Sequence, residues 1–330
     1  MRRILVYEPL SAEDPASIAA LGRDSPAHVE MLAAGRAMRE AIAGDLARIA
    51  GVTATVAVGS QEAGHDPGVR TVSAAPGETA VEFVHRQAQL HDLCWVVAPE
   101  SDGLLGRLHE AVGDARWIGC SGPAIRVASS KRATCAALAA AGILTPLAFV
   151  GQRAAPWIVK PDDGAGAMET RRHAGRAAAE ADLRRRLAAG RSAVAEPFVA
   201  GEALSISMVV GPDLARPLAF NRQRLDVDAD GWLHDLGVQA AAFGAADPRA
   251  ARLSSLAARV ASALPGLKGY VGIDLVWNEG EGPVVIEVNP RVTCAYVGLS
   301  AILQRNLAAD VLHACAPGPG VREATRDVAA

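Results

Sequence analysis

The sequence predicts an α/β chain: a parallel sheet at the N-terminus, then two mixed α+β units. Three observations predict it. Strand and helix signals alternate through roughly the first 120 residues, the pattern of βαβ units. Half of the 330 residues are hydrophobic, enough for a sizeable core at two or three domain-lengths of about 100–200 residues each. Beyond residue 190, extended runs joined by turns replace the alternation and read as antiparallel strands. The boundaries expected on this reading are 1–120, 121–190 and 191–330.

In the first unit Arg3–Tyr7 reads as an apolar strand. Ser25-Pro26 places a capping hydroxyl and a first-turn proline ahead of a long helix to about Ala50. Val52–Val58 alternates β-branched residues. Helix is expected over Pro76–Gln89 and Gly103–Val112, strand over Leu93–Ala98, and a short strand over Trp117–Gly119. Ligands of parallel sheets bind beyond the carboxyl ends of strands. Glu8 and Glu100-Ser101-Asp102 stand at such ends, as candidate substrate contacts. Asp102 reads equally well as a helix cap.

In the second unit Ser129 and Ser130 can cap a helix to Ala141, closed by Gly142. Lys131 falls in its first turn, where a cation opposes the helix dipole, so a bound anion explains it better than packing does. Only three of the 33 basic residues are lysines: Lys131, Lys160 and Lys268. A lysine in so arginine-rich a chain suits a compact charge on phosphate. Lys160 ends an apolar strand before Asp163-Gly164-Ala165-Gly166, and glycines let backbone amides approach phosphate oxygens. The order is not that of a Walker loop, and Glu169 replaces the third glycine of a dinucleotide fingerprint. Alone, the loop also reads as an ordinary turn. The alanine-rich stretch 174–190 is expected on the surface, with Arg184–Arg186 a solvated face.

The third unit carries the sharpest pattern. Tyr270–Trp277 and Val284–Arg291 flank an Asn/Gly/Pro turn, which predicts a hairpin. With the turn centred between Gly280 and Glu281, Asp274 opposes Glu287. Val285, Glu287, Asn289 and Arg291 then share one face, and Val284, Ile286 and Val288 the other. Opposed carboxylates destabilise a sheet unless compensated. Mg²⁺ compensates them and takes a few carboxylate or amide oxygens; Asn289 offers such an amide, and Arg291 adds a fork suited to phosphate or carboxylate. A hairpin face in water is the plainer alternative, but the in-phase Asn289 and Arg291 and the apolar reverse faces favour a site. Strands are also expected over Ser192–Glu196, Leu204–Val210, Leu218–Leu225 and Trp232–Leu236, with Arg222 and Arg224 in phase. Helices are expected over Leu253–Leu264 and Leu299–His313, and a frayed tail after Pro317.

Composition excludes several classes. A net charge of −3 gives no electrostatic case for nucleic acid or an anionic membrane. No apolar run approaches a membrane span. Five scattered cysteines without a Cys-x-x-Cys point to reduced thiols in a cytoplasmic protein rather than a disulfide or zinc framework.

The ordered motifs Ser-Lys131-Arg-Ala-Thr, Ile-Val-Lys160-Pro, Asp163-Gly-Ala-Gly166, Glu196-Pro-Phe-Val-Ala-Gly-Glu202, Asp274 and Glu287-Val-Asn289-Pro-Arg291 resemble the ATP-grasp superfamily of carboxylate–amine ligases. The resemblance spans nearly the whole chain. It implies a pre-grasp domain and two α+β subdomains clasping ATP. Lys131 and Lys160 would bind phosphates under a lid containing Gly164 and Gly166, Glu196 to Val199 would hold adenine, and Glu202 ribose. Asp274, Glu287 and Asn289 would carry Mg²⁺, with Mn²⁺ as a substitute. Arg291, with Lys160, would stabilise the acyl-phosphate chemistry. Within the superfamily Val-Ala-Pro-Glu100-Ser-Asp102-Gly and Phe220-Asn-Arg222-Gln-Arg224 are similar to the tyramine–L-glutamate ligases of methanofuran-type cofactor synthesis. That likeness implies L-glutamate as acid, an aromatic amine as nucleophile, and a homodimer. A D-alanine-type or other amino-acid ligase, and a catalytically silent nucleotide-binding module, are the alternatives; a nicotinamide enzyme lacks its glycine fingerprint.

Overall fold

The computed structural model describes residues 1–60, 68–152, 156–164, 166–212 and 215–316. The expected frayed tail after Pro317 therefore lies outside the described residues, as does Ala165 of the glycine loop.

The first unit is a parallel sheet of β1 (Arg2–Tyr7), β2 (Val52–Ala57), β3 (Val69–Val72) and β4 (Leu93–Val96) in the order β3-β2-β1-β4. Helices α1 (Pro15–Leu21) and α2 (Pro26–Ala47) follow β1. Ser25 caps α2 by accepting the His28 amide, and Pro26 occupies its first turn. Met38, Ile42 and Leu46 of α2 pack on Val6 and Val56 of one sheet face; full burial of each such side chain is worth about 1.5–3 kcal/mol. The opposite face takes Phe83 of α3 (Ala80–Ala88) and Leu105 and Leu108 of α4 (Leu104–Val112). Thr79 and Glu82 cap α3 reciprocally, which starts it four residues after the expected Pro76. Trp117 makes an isolated bridge to Cys94 rather than the expected strand. A short helix, α5 (Gly122–Ala128), leads into the second unit.

That unit comprises α6 (Lys131–Ala140), β5 (Trp157–Pro161), β6 (Arg171–His173), α7 (Arg176–Ala188) and β7 (Ala193–Pro197). Its strands pair antiparallel in the order β6-β5-β7. The Ser130 hydroxyl caps α6. Part of the α7 arginine face is not solvated. Arg186 is buried, bound to Asp182 at 3.2 Å and to the Glu169 carbonyl at 2.6 Å. Its intrahelical acid partner lets the guanidinium enter the interior.

The third unit is an antiparallel sheet of β8 (Glu202–Val210), β9 (Ala215–Val227), β10 (Leu233–Phe243), β11 (Gly269–Asn278) and β12 (Gly282–Asn289), ordered β10-β9-β8-β11-β12. Helix α8 (Ala250–Ala263) covers one face with Leu253, Leu256 and Val260. The expected terminal helix is two, α9 (Leu299–Ile302) and α10 (Leu307–Cys315), because Asn306 leaves helical geometry to cap the second.

The hairpin β11–β12 holds a correction. Near the turn the partners are Asn278 with Gly282 and Val276 with Val284, so the turn centres on Gly280. A register shift between Asp274 and Leu275 then makes Ile286 an extra residue on β12 and restores Asp274 opposite Glu287. The expected face assignment fails around it. Val285 joins Ile273, Leu275 and Val288 in the main core. Val284 and Ile286 instead pack with Val276, Phe149 and Val199. A bulge re-aims the side chains beyond it, and here it turns Glu287 onto the Asp274 side.

The tip of the β9–β10 hairpin reaches the second unit. The Arg172 amide donates to Gly231 O at 2.7 Å, and the Leu233 amide to Thr170 O at 2.9 Å. Gly231 has φ +87°, and a β-carbon there would lie 2.3 Å from Arg172 O; only glycine permits this approach.

Candidate active site

A cavity of about 410 Å³ opens where the three units meet. Its floor is the Asp274–Glu287 pair on adjoining strands β11 and β12. Asp274 accepts hydrogen bonds from Asn289 Nδ2 and Gln223 Nε2, each at 3.0 Å. Burial first, and the facing Glu287 second, push its carboxyl well above the usual range. Burial also acts against Glu287, but Lys131 and Lys160 outweigh it and hold Glu287 below the usual range. One carboxylate is thus compensated by the chain and the other is not.

Among the described residues no three acids, histidines or cysteines gather as a metal cluster. Two carboxylates and an amide are therefore what this floor offers a cation. That donor set fits Mg²⁺, which keeps most of its shell from water and phosphate, and does not fit a site closed by protein ligands.

Both lysines of the cavity are buried. Lys131 Nζ lies 3.2 Å from Glu287 Oε2 and donates to Gly164 O at 3.0 Å. The anion that its helix position called for is therefore Glu287. Lys160 Nζ lies 2.5 Å from Glu196 Oε1. Burial works against the Lys160 charge, yet Glu196 and Glu287 raise its pKa above the ordinary value. Ser130 Oγ donates to the Asp162 carboxylate at 2.8 Å, and the Lys131 amide to the Asp162 carbonyl at 2.9 Å. These bonds fix the start of α6 against the loop after β5. Gly166, Glu196 and Val199 line the same end of the cavity.

Arg291 lines the cavity and is gripped side-on by Glu100, with Nε and Nη2 each 2.9 Å from a carboxylate oxygen. Burial disfavours the guanidinium charge, and Glu100 more than restores it. Glu100, expected to meet substrate, instead meets Arg291.

Other expected contacts lie elsewhere. Glu202, Arg222 and Arg224 are absent from the cavity lining, where Ala203, Gln223 and Leu225 stand. Strand residues alternate between faces. Glu202 therefore points to the reverse side, where Arg222 holds it at 2.5 Å and Arg249 binds its other oxygen. Glu8 is buried under α2, accepting the Ser11 amide at 2.7 Å. A β-carbon on Gly35 would lie 2.5 Å from its carboxylate, so glycine makes the room it occupies. Burial, working against the bonds from Ser11 and Leu10, raises the Glu8 carboxyl. Asp102 does not cap α4; Gly103 holds that position without a side-chain bond. Sequence reasoning missed Gln223, and Glu30 and Asp235 at the α2 and β10 side of the cavity. Gln223 carried no signal in the sequence; the pairing of Asn221 with Ser205, and of Ser205 with Asp274, is what brings it to the cavity.

The model of the ATP-grasp domain matches residues 128–295, and that of the pre ATP-grasp 3 domain matches residues 53–125. The chain belongs to the ATP-grasp family. Membership implies an ATP-binding fold. Among curated proteins the chain is 28% identical over 218 residues to a tyramine–L-glutamate ligase of Methanocaldococcus jannaschii, covering 63% of this chain and 58% of that protein. The chain thus spans less than two thirds of the curated relatives it matches. An ATP-grasp superfamily protein of Archaeoglobus fulgidus superposes with TM-score 0.68 at 20% identity, covering 95% of this chain and 88% of the other. An L-amino acid ligase of Bacillus licheniformis gives TM-score 0.63 at 20% identity, over 96% and 75%. At these identities the two structures speak for the ATP-grasp fold alone. Among the described residues no helix is long and apolar enough to cross a membrane.

Proposed function

We propose that this chain is an ATP- and Mg²⁺-dependent ligase that joins a carboxylic acid, L-glutamate first among candidates, to an amine through an acyl phosphate. The observation that carries the reading is the half-buried Asp274–Glu287 pair, in register across β11 and β12 and flanked in one cavity by the buried Lys131 and Lys160 and by Arg291. The name of the curated relatives supports glutamate and tyramine as the first pair to try. The unit boundary at 120, a cytoplasmic setting and a homodimer belong to the same reading; the expected boundary at 190 moves past Pro197, because β7 pairs with β5 of the second unit.

Asp274, Glu287 and Asn289 would hold the metal, whose positive charge balances phosphate oxygens during transfer. Lys131 and Lys160 supply fixed charge for ATP, and the loop with Gly164 and Gly166 covers the phosphates. Val199 and the backbone after Glu196 offer an apolar seat for the base. The substrate carboxylate attacks the terminal phosphoryl group, ADP leaves, and the amine displaces phosphate from the acyl carbon. Arg291 stabilises the charge that develops there, while the units closing around the cavity exclude the water that would hydrolyse the acyl phosphate. Glu30 and Asp235 on α2 and β10 would receive the ammonium and take the proton it must lose before the neutral amine attacks, a second proton leaving with the phosphate; Met31 and Leu233 stand beside them for its apolar body.

The test is a panel of acids and amines scored by ADP release and product mass, beginning with glutamate and tyramine. Turnover that needs both partners, yields the mass of the amide and stops on chelation is expected. Nucleotide binding without turnover for any pair would leave a silent module in its place.

A further inference from the structure

Three consecutive residues of the first unit bridge Arg291 and the glycine loop. Glu100 binds Arg291. Ser101 Oγ lies 3.6 Å from where a β-carbon of Gly164 would be. The amide of Asp102 donates to Asp163 Oδ2 at 2.8 Å. Asp102 holds φ +53° to make that bond, a conformation that costs a non-glycine residue free energy and persists only where neighbours enforce it. From the far side, Lys131 binds Gly164 O and Glu287. The loop is thus tied to Glu287 through Lys131 and to Arg291 through residues 100–102.

The Arg291 bonds say what Glu100 does. A guanidinium has five N–H groups in a rigid plane. Glu100 takes one from Nε and one from Nη2, and the Val292 carbonyl takes one from Nη1 at 3.2 Å. Among the described residues the remaining two, one on each terminal nitrogen, have no acceptor and form the end-on fork.

We propose that Glu100–Asp102 is a strut that couples the glycine loop to Arg291. Glu100 is its positioning residue: the side-on grip fixes the plane of Arg291 and leaves the end-on fork for oxygens of the acyl phosphate. Asp163 is the outer anchor, so the loop that covers phosphate also sets the arginine. What the fork grips rests on the ligase reading; the coupling itself does not.

The full-length chain and the variants Glu100→Gln, Asp163→Ala and their combination decide it. Glu100→Gln keeps the shape of the side chain. It is expected to lower kcat about 100-fold, the scale of a misplaced catalytic group, with ADP affinity by calorimetry changed less than about threefold. Asp163→Ala is expected to lower kcat about tenfold, and the double variant no further than Glu100→Gln alone. Losses that multiply, or an unchanged kcat in Glu100→Gln, overturn the strut. If Glu100→Gln does not fold, an unchanged kcat in Asp163→Ala overturns it. Hydrogen exchange gives a reading without turnover: ADP with Mg²⁺ is expected to slow exchange of the Asp102 amide in the unaltered chain but not in Asp163→Ala. Equal slowing in both overturns the strut even where the ligase reading stands. A chain that shows the exchange effect but no amide product keeps the strut and loses the ligase.

Discussion

Two pairs of ionisable side chains that face each other across strands, Lys160–Glu196 and Asp274–Glu287, are opposite in kind. In the small sheet Lys160 and Glu196 are diagonal neighbours on β5 and β7, a cation and an anion 2.5 Å apart. In the large sheet Asp274 and Glu287 are direct partners on β11 and β12, both acids. The first pair is complete without help. The second needs Lys131 for one member and leaves the other with a carboxyl raised by burial and repulsion. The uncompensated acid on the floor of the cavity is the charge that the proposed Mg²⁺ would balance.

The comparison breaks most visibly at Lys160. Lys160→Met leaves Glu196 buried without its partner and is expected to cost about 3–5 kcal/mol of stability by urea denaturation. Adding Glu196→Leu should return most of it, because the charge itself is then gone. A single-variant loss below about 1 kcal/mol would show that the small-sheet pair is not self-compensating.

Asp274→Asn is expected to do the reverse. Turnover of ATP should fall roughly 10²–10³-fold, the scale for losing a preorganised electrostatic group. Stability should hold or rise, because one of two opposed like charges is removed. Thermal melting and kcat on one preparation check both; a large loss of stability would put the two pairs in the same class.

Gly231→Ala tests whether the two sheets are held together at the hairpin tip. Positive φ and the 2.3 Å approach to Arg172 O make about 1–3 kcal/mol of strain. Faster hydrogen exchange at the Arg172 and Leu233 amides is the expected sign.

Glu8 sharpens the contrast as another buried acid, answered by backbone amides rather than a cation. Its folded pKa lies above the ordinary value. Between those two values the native state holds more protons than the unfolded one, so stability falls as pH rises through that window. The slope is bounded by about 1.36 kcal/mol per pH unit. Glu8→Gln should flatten it, as read from urea midpoints across the acid range.

Local rules made much of this legible. Ser25-Pro26 and Ser130 are cap chemistry, written within a few residues, and both helices start there. Asp274 opposite Glu287 was also legible, though the turn centre and the bulge at Ile286 offset one another. Illegible were contacts whose partners come from distant segments. The phase of β9 decided that Gln223 rather than Arg222 faces the cavity, and phase depends on pairing with β8 and β10. Glu100 meets Arg291 across 191 positions, beyond any periodicity.

The sequence by itself determined the elements, the residue types of the site and the family of folds, because propensity, capping and alternation act over a few residues. Only the tertiary structure decided that Glu287 is paired with Lys131, that Asp274 is not paired with a lysine, and that Glu100 holds Arg291. Those outcomes depend on burial and on distances of about 3 Å between groups far apart in the chain, and electrostatic energy in a cavity is fixed by both.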